Sequence, residues 1–153
     1  MDFDGLNWIG LALAVVANMA IGFLWYLPNA PTGKAWMKAM GMSADTKPAP
    51  GTLAKGLVLS ALGAFLLMFV FAHNSMVYED AFRNAGTGGD AAYDLTVADG
   101  LFAGLFTWLG FFVPVQLSAV AWEGKPWSVF LVNAGYYLVT LLVAGVLITS
   151  VGT

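Results

Sequence analysis

The chain has 153 residues, 59% hydrophobic and 10% charged, with mean hydropathy +0.78 and a net charge of −3. A water-soluble domain of this length carries far more polar surface, and the absence of cysteine removes disulfides, thiol catalysis and Cys-ligated zinc. The apolar residues instead fall into four runs, 6–27, 53–72, 95–121 and 128–150, each meeting the ~20 residues that carry a helix across a bilayer. The runs are continuous rather than alternating, which argues against a β-barrel. The expected fold is all-α: one transmembrane domain over 1–153, a four-helix bundle with a connecting loop at 28–52 and another at 73–94.

The opening Met1-Asp2-Phe3-Asp4 is acidic where a signal peptide is basic, so the first span is expected to stay in the mature protein. That span presents Asn7, Leu11, Ala14, Asn18 and Trp25 along one face and is expected to end at Pro28. The segment Gly33 to Gly41 follows. At helical spacing it sets Trp36, Met37 and Met40 on one face and Lys34 and Lys38 on another. It reads as a short interfacial helix stopped by Gly41, with Lys34, Trp36 and Lys38 at the membrane surface. It serves either as a simple anchor or as a lip that binds anionic lipid heads.

The second span carries Gly56, Ser60 and Ala64 at four-residue spacing, a ridge suited to close helix contact. Beyond it, 75–85 is expected to continue as a short helix with Glu79 and Arg83 paired, broken at Gly86-Thr87-Gly88-Gly89. The third span contains Asp99, Gly100, Gly104 and Trp108. Its Pro114 is expected to kink the helix and free a carbonyl near Gly110. The connection from Trp122 to Trp127 is so short that the third and fourth spans must pack as antiparallel neighbours. Trp8, Trp25, Tyr26, Trp36, Trp122 and Trp127 fall near the interfaces as aromatic belts, and Trp108 reads as packing.

Charge gives an orientation. Lys34, Lys38, Lys47, Lys55 and Lys125 lie on one side, while the termini and the loop at 73–94 carry Arg83 and the acids Asp2, Asp4, Glu79, Asp80, Asp90, Asp94 and Asp99. The positive-inside rule makes the lysine side cytoplasmic and puts both termini outside, in the cytoplasmic (inner) membrane of a bacterium. Glu79, Asp80, His73 and the Asp90/Asp94 pair could be read as a cation site, but their spacing matches no calcium loop and a solvated acidic rim is the simpler explanation. No metal site or cofactor is assigned.

Polar groups inside the membrane are the candidate site residues. Asn18 and Tyr137 lie at one depth, about 13 Å from the lysine side, and Gln116 and Asn133 at another, about 7 Å. With Trp25 they line a pocket opening to the lysine side, or they only bind the helices together. Asp99 is the acid embedded in an apolar run. It either caps a helix or, set deeper, holds a proton or cation. No catalytic constellation or basic nucleic-acid surface appears, so the chain is not read as an enzyme.

The steps Gly22-Phe23, Pro28, Gly33-Lys34-Ala35-Trp36 and Gly110-Phe111, Pro114, Gly124-Lys125-Pro126-Trp127 echo each other, which raises a duplicated two-helix hairpin. Several of these stretches also carry a resemblance. The run from Asn18 through Gly22-Phe23, Trp25-Tyr26 and Pro28, then Gly33-Lys34-Ala35-Trp36, Trp108-Leu109-Gly110-Phe111 with Pro114, Glu123-Gly124-Lys125-Pro126 and Asn133-Ala134-Gly135-Tyr136, resembles an uncharacterised bacterial membrane family, domain of unknown function 1761. Leu27 departs from it where a small polar residue is expected before the proline. The resemblance implies a four-helix integral membrane protein and no particular activity.

The functional reading placed first is binding or transport of a small molecule, lipid or ion through the polar pocket. A structural or accessory subunit comes second and a membrane-embedded enzyme third. Membrane lipids and a second copy of the chain, as a homo-oligomer and preferably a dimer, are the expected partners.

Overall fold

The computed structural model describes residues 5–43, 49–86 and 95–151, and of residues 78–80 and 82–86 the backbone and, for the helix they belong to, its course. The described residues are helical, without strands: α1 (Trp8–Trp25), α2 (Pro31–Ala39), α3 (Pro50–Gly86), α4 (Val97–Thr107), a π turn (Trp108–Phe112), α5 (Val113–Glu123) and α6 (Trp127–Ser150). Four stretches are long and apolar enough to cross a membrane: Trp8–Trp25, Pro50–Val77, Val97–Glu123 and Trp127–Ser150. The second span therefore starts earlier and runs further than its apolar run, and α3 continues without a break into the expected outer helix.

Each boundary has a local cause. Asn7 caps α1, its Oδ1 accepting from the Gly10 N–H at 2.8 Å. Its Nδ2 donates to the carbonyls of Ile148 at 2.7 Å and Val151 at 2.5 Å. One side chain thus ties the start of the first span to the end of the last.

The turn after α1 is closed by Ala30 N–H to Leu27 O and by the Thr32 hydroxyl to Trp25 O. A Cβ on Gly33 would stand 2.0 Å from Leu27 O, so only glycine lets α2 fold back this tightly. α2 ends as expected at Gly41, with φ +66°, where Met42 N–H returns to Met37 O and Gly41 N–H to Lys38 O.

Pro114 sits in the first turn of α5. It has no N–H for the Gly110 carbonyl, and just ahead of it the ladder widens into the π turn, with Val113 N–H bonding to Trp108 O. Gly124, at φ +67°, closes α5 before the tight return into α6.

α6 is the axis of the molecule. It packs on α1, α2, α4, α5 and the π turn, whereas α3 packs on α1. Within lipid, apolar surface is not driven together by water, so close approach and hydrogen bonds must hold helices. α4 and α6 meet backbone to backbone: a Cβ on Gly100 would lie 2.4 Å from Gly145 O, and one on Gly145 would lie 2.1 Å from Gly100 O.

The core cluster, with Leu11, Ala14, Met68, Phe71, Leu141 and Ala144, lies in the half of the bundle that holds both chain ends. α3 buries Ala64, Met68, Phe71, Ala72 and Ser75 there, on one helical face. Residues 50–63 of the same helix are exposed at every position. Helix α3 therefore packs on the bundle toward its terminal end and splays away from it at its lysine end. The expected contact along the Gly56, Ser60, Ala64 ridge is made within the chain at Ala64 and not at Gly56, where a Cβ would meet nothing within 4 Å.

The echoed segments differ in conformation. Pro28 lies in a turn between two helices, while Pro114 lies inside one nearly continuous span.

Candidate functional site

The splay of α3 opens a cleft of about 750 Å³ at the lysine end. Asn18, Gly22 and Tyr26 of α1 and its C-terminal residue, Ser60, Gly63 and Ala64 of α3, Phe112 of the π turn, and Tyr136 and Tyr137 of α6 line it, with apolar neighbours between them. Gly63 forms open floor, since a Cβ there would meet nothing within 4 Å. Gly22 lets α1 approach the Tyr136 hydroxyl, which would stand 3.2 Å from a Cβ at that position.

Asn18 is 5% exposed, on the same buried stripe as Leu11 and Ala14 that its spacing predicts. Its Oδ1 accepts from the Tyr136 hydroxyl at 2.5 Å. Tyr136 in turn meets Tyr26 edge to face at 5.5 Å and Tyr137 at 5.0 Å, and Tyr137 lies against Phe112 at 4.2 Å. Tyr26 also meets Trp36 of α2 at 5.6 Å. A continuous aromatic wall thus runs from α2 to the π turn, with the Trp36–Tyr26, Tyr26–Tyr136 and Tyr136–Tyr137 contacts in the edge geometry that aromatic quadrupoles favour.

Around the cleft, three side chains hold the lysine end of α6. The Trp25 indole donates to Val132 O at 3.0 Å, the Tyr26 hydroxyl to Asn133 Oδ1 at 2.9 Å, and the Trp108 indole to Ala134 O at 2.7 Å. Three successive residues of one helix are thereby fixed by α1 and the π turn.

The predicted site residues separate into two groups. Asn18 and Tyr137 line the cleft. Trp25 and Asn133 are in the anchoring set beside it, and Gln116 is half-buried on α5 and lines neither of the two clefts described. The partners also differ from the expected layers. Asn18 bonds Tyr136, the neighbour of Tyr137, and Asn133 bonds Tyr26, not Gln116. Tyr26, Tyr136 and Ser60 were not among the expected pocket residues. The cue to Tyr136 is its place three residues after Asn133, which puts the two on one side of α6.

A second cleft, of about 610 Å³, lies at the terminal end between α3 and α4. Asp99 borders it together with Asn74, Ser75, Thr107 and Thr149. Asp99 is the third residue of α4 and closes a capping box: its carboxylate accepts from the Thr96 N–H at 2.8 Å and from the Thr96 hydroxyl at 2.6 Å. The helix-capping alternative for this acid is thus the one its geometry matches. The cation reading of the outer acids falls largely outside the described residues, which exclude Asp90 and Asp94 and the side chains of Glu79, Asp80 and Arg83. Lys34 and Lys38 are exposed on α2, with Trp36 turned half inward onto Tyr26.

The sequence profile described as "Protein of unknown function (DUF1761)" matches residues 9–149, a stretch that runs from the second residue of α1 to the last but one of α6. The chain belongs to this family. The resemblance carried by the segments around Asn18, Trp108 and Asn133 is therefore real, and those segments are the ones that build the cleft wall and the α6 anchors. No curated protein and no solved structure matches the chain.

Proposed function

We propose that this DUF1761 member is a multi-pass membrane protein that binds a small amphipathic molecule or lipid in its lysine-end cleft. The observation that carries this reading is a ligand-sized cleft, about 750 Å³, with an apolar wall and a few convergent polar groups, Asn18, Tyr136 and Tyr137. Charge placement supports setting the cleft on the cytoplasmic side of a bacterial inner membrane, with α2 at the surface and both termini outside. Ion binding is disfavoured as the cleft's role, since among the described residues no acidic or basic side chain lines it. Transport is a finer form of the same reading. It draws on the second cleft at the opposite end, beyond the fully buried Met68 and Leu141. The reading assigns the chain no catalytic step.

Native mass spectrometry of the protein from mild detergent tests this. One reproducible small molecule or lipid per chain is expected, and it should be lost in Gly63→Leu, which fills the floor from a position where a Cβ meets nothing within 4 Å. A bare protein, or equal retention by Gly63→Leu, would sink the proposal.

A second reading rests on the exposed flank 50–63, whose Gly56, Ser60 and Gly63 could seat a helix of another copy, giving the homodimer of a structural subunit. The same spectra separate the two, because that reading requires a dimer that Gly63→Leu disrupts and no retained ligand.

A further inference from the structure

Resting on the reading of the lysine-end cleft as a ligand site, the chemistry of its wall narrows what it takes. Asn18 is nine-tenths buried and faces this cleft, yet its carboxamide is half used. The Oδ1 accepts from Tyr136 at 2.5 Å, and that hydroxyl also lies 3.5 Å from the Asn18 carbonyl. Both hydrogens of Nδ2 are left without an acceptor among the described residues. The Tyr137 hydroxyl, also on this cleft, has no hydrogen-bond partner among the described residues either. The Asn18 Nδ2 atom is not fully closed off from the cleft, so the cleft offers two unused donors, this amide and the Tyr137 hydroxyl, to whatever enters it.

Three kinds of group could answer it. A phosphate or carboxylate would enter a wall that among the described residues holds no lysine, arginine or histidine and would lose its hydration without a counter-charge. A bare hydrocarbon would leave Nδ2 unsatisfied. An uncharged carbonyl oxygen has two lone pairs with which to accept from such donors and brings no donor of its own. The rest of the wall, Met19, Phe23, Leu57, Leu59, Leu67 and Phe112, suits an apolar body. The exposed flank of α3 and the exposed Phe23 leave that body a way out sideways, between α1 and α3.

We propose that the cleft binds an uncharged, carbonyl-bearing lipid, its carbonyl oxygen accepting from Asn18 Nδ2 and the Tyr137 hydroxyl and its chain lying between α1 and α3. Two sources share this chemistry: the ester of a neutral glycerolipid and the ring carbonyl of an isoprenoid quinone.

The test is competition binding to the full chain in detergent, read by native mass spectrometry, with three probes: dioleoylglycerol, its diether counterpart, and decylubiquinone. At least one carbonyl probe should bind about tenfold more tightly than the diether, and which one does so identifies the source. Tyr137→Phe keeps the ring against Phe112 and should erase that preference. The pair Asn18→Leu with Tyr136→Phe, which removes both bonded partners together, should do the same if it folds. Equal binding of diether and carbonyl probes, all expelled by Gly63→Leu, would overturn the carbonyl inference while leaving the cleft a ligand site. Failure of every probe to bind, with nothing else retained by the wild-type protein, would overturn both. A retained native molecule that lacks a carbonyl would overturn this inference alone.

Discussion

The two ends of this bundle are held by different physics. At the terminal end, α4 and α6 touch through glycine backbones, Met68 and Leu141 are fully buried, and Asn7 laces the first helix to the last. At the lysine end the helices are not in close contact across the cleft, and α6 is held by side-chain donors, Trp25, Tyr26 and Trp108, reaching its residues 132–134. Glycine contact brings helices to the shortest separation and leaves no room between them. Long aromatic donors hold a helix at a distance and leave space beside it. A membrane protein with no hydrophobic force between its helices can thus hold one part of a helix in backbone contact and another part at a distance through its choice of linking residues.

Substitutions should separate these two regimes. The largest effect is expected for Gly145→Leu, which drives a side chain into the Gly100 backbone. It should destabilise the fold by about 3 kcal/mol, read as a lowered unfolding midpoint in detergent titration. Unchanged stability would mean that α4 and α6 are not in backbone contact. Next comes Asn7→Leu, which removes one cap and two ties to α6. It should cost ~1–2 kcal/mol and should raise amide exchange at 148–151 more than at 127–134. Trp108→Phe keeps a ring but drops the bond to Ala134 O, and should cost about 1 kcal/mol, with the loosening confined to the lysine end of α6. If exchange rose equally at both ends, the separation into two regimes would be wrong. The smallest effect on stability, within about 0.5 kcal/mol, is expected for Gly63→Leu, because a side chain there enters open space. Its consequence should be loss of bound ligand, with the unfolding midpoint retained.

Much of this architecture is legible from residue order. Four apolar runs of bilayer length, the buried stripe of Leu11, Ala14 and Asn18, the stop at Gly41 and the tight return before Trp127 follow from length, spacing and glycine chemistry. The splay of α3 is not legible. In a lipid-facing helix the bundle side and the lipid side are both apolar, so Leu57, Leu59 and Leu62, all exposed, read no differently from the buried Met68. Period alone therefore cannot reveal that half of α3 lacks a neighbour.

The polar pairings fail for a related reason. Tyr136 and Tyr137 are adjacent on α6, and depth in the membrane scarcely distinguishes them. Which of them reaches Asn18 depends on the rotation of α6 about its axis, set by the Gly100 and Gly145 contact on its far side. Asn133 likewise takes Tyr26 because Trp25 and Trp108 fix the carbonyls on either side of it. The glycines that determine this rotation are visible in the sequence, but their pairing across two spans is not.

The most direct measurement places a photoreactive benzoylphenylalanine at Ser60, on the cleft floor, and for comparison at Val16, on the exposed side of α1, then irradiates membranes and weighs the adducts. The account predicts one dominant small-molecule or lipid adduct at Ser60, absent at Val16. The same mixture of bulk lipids at both positions, or a cross-linked dimer as the main product at Ser60, would contradict it.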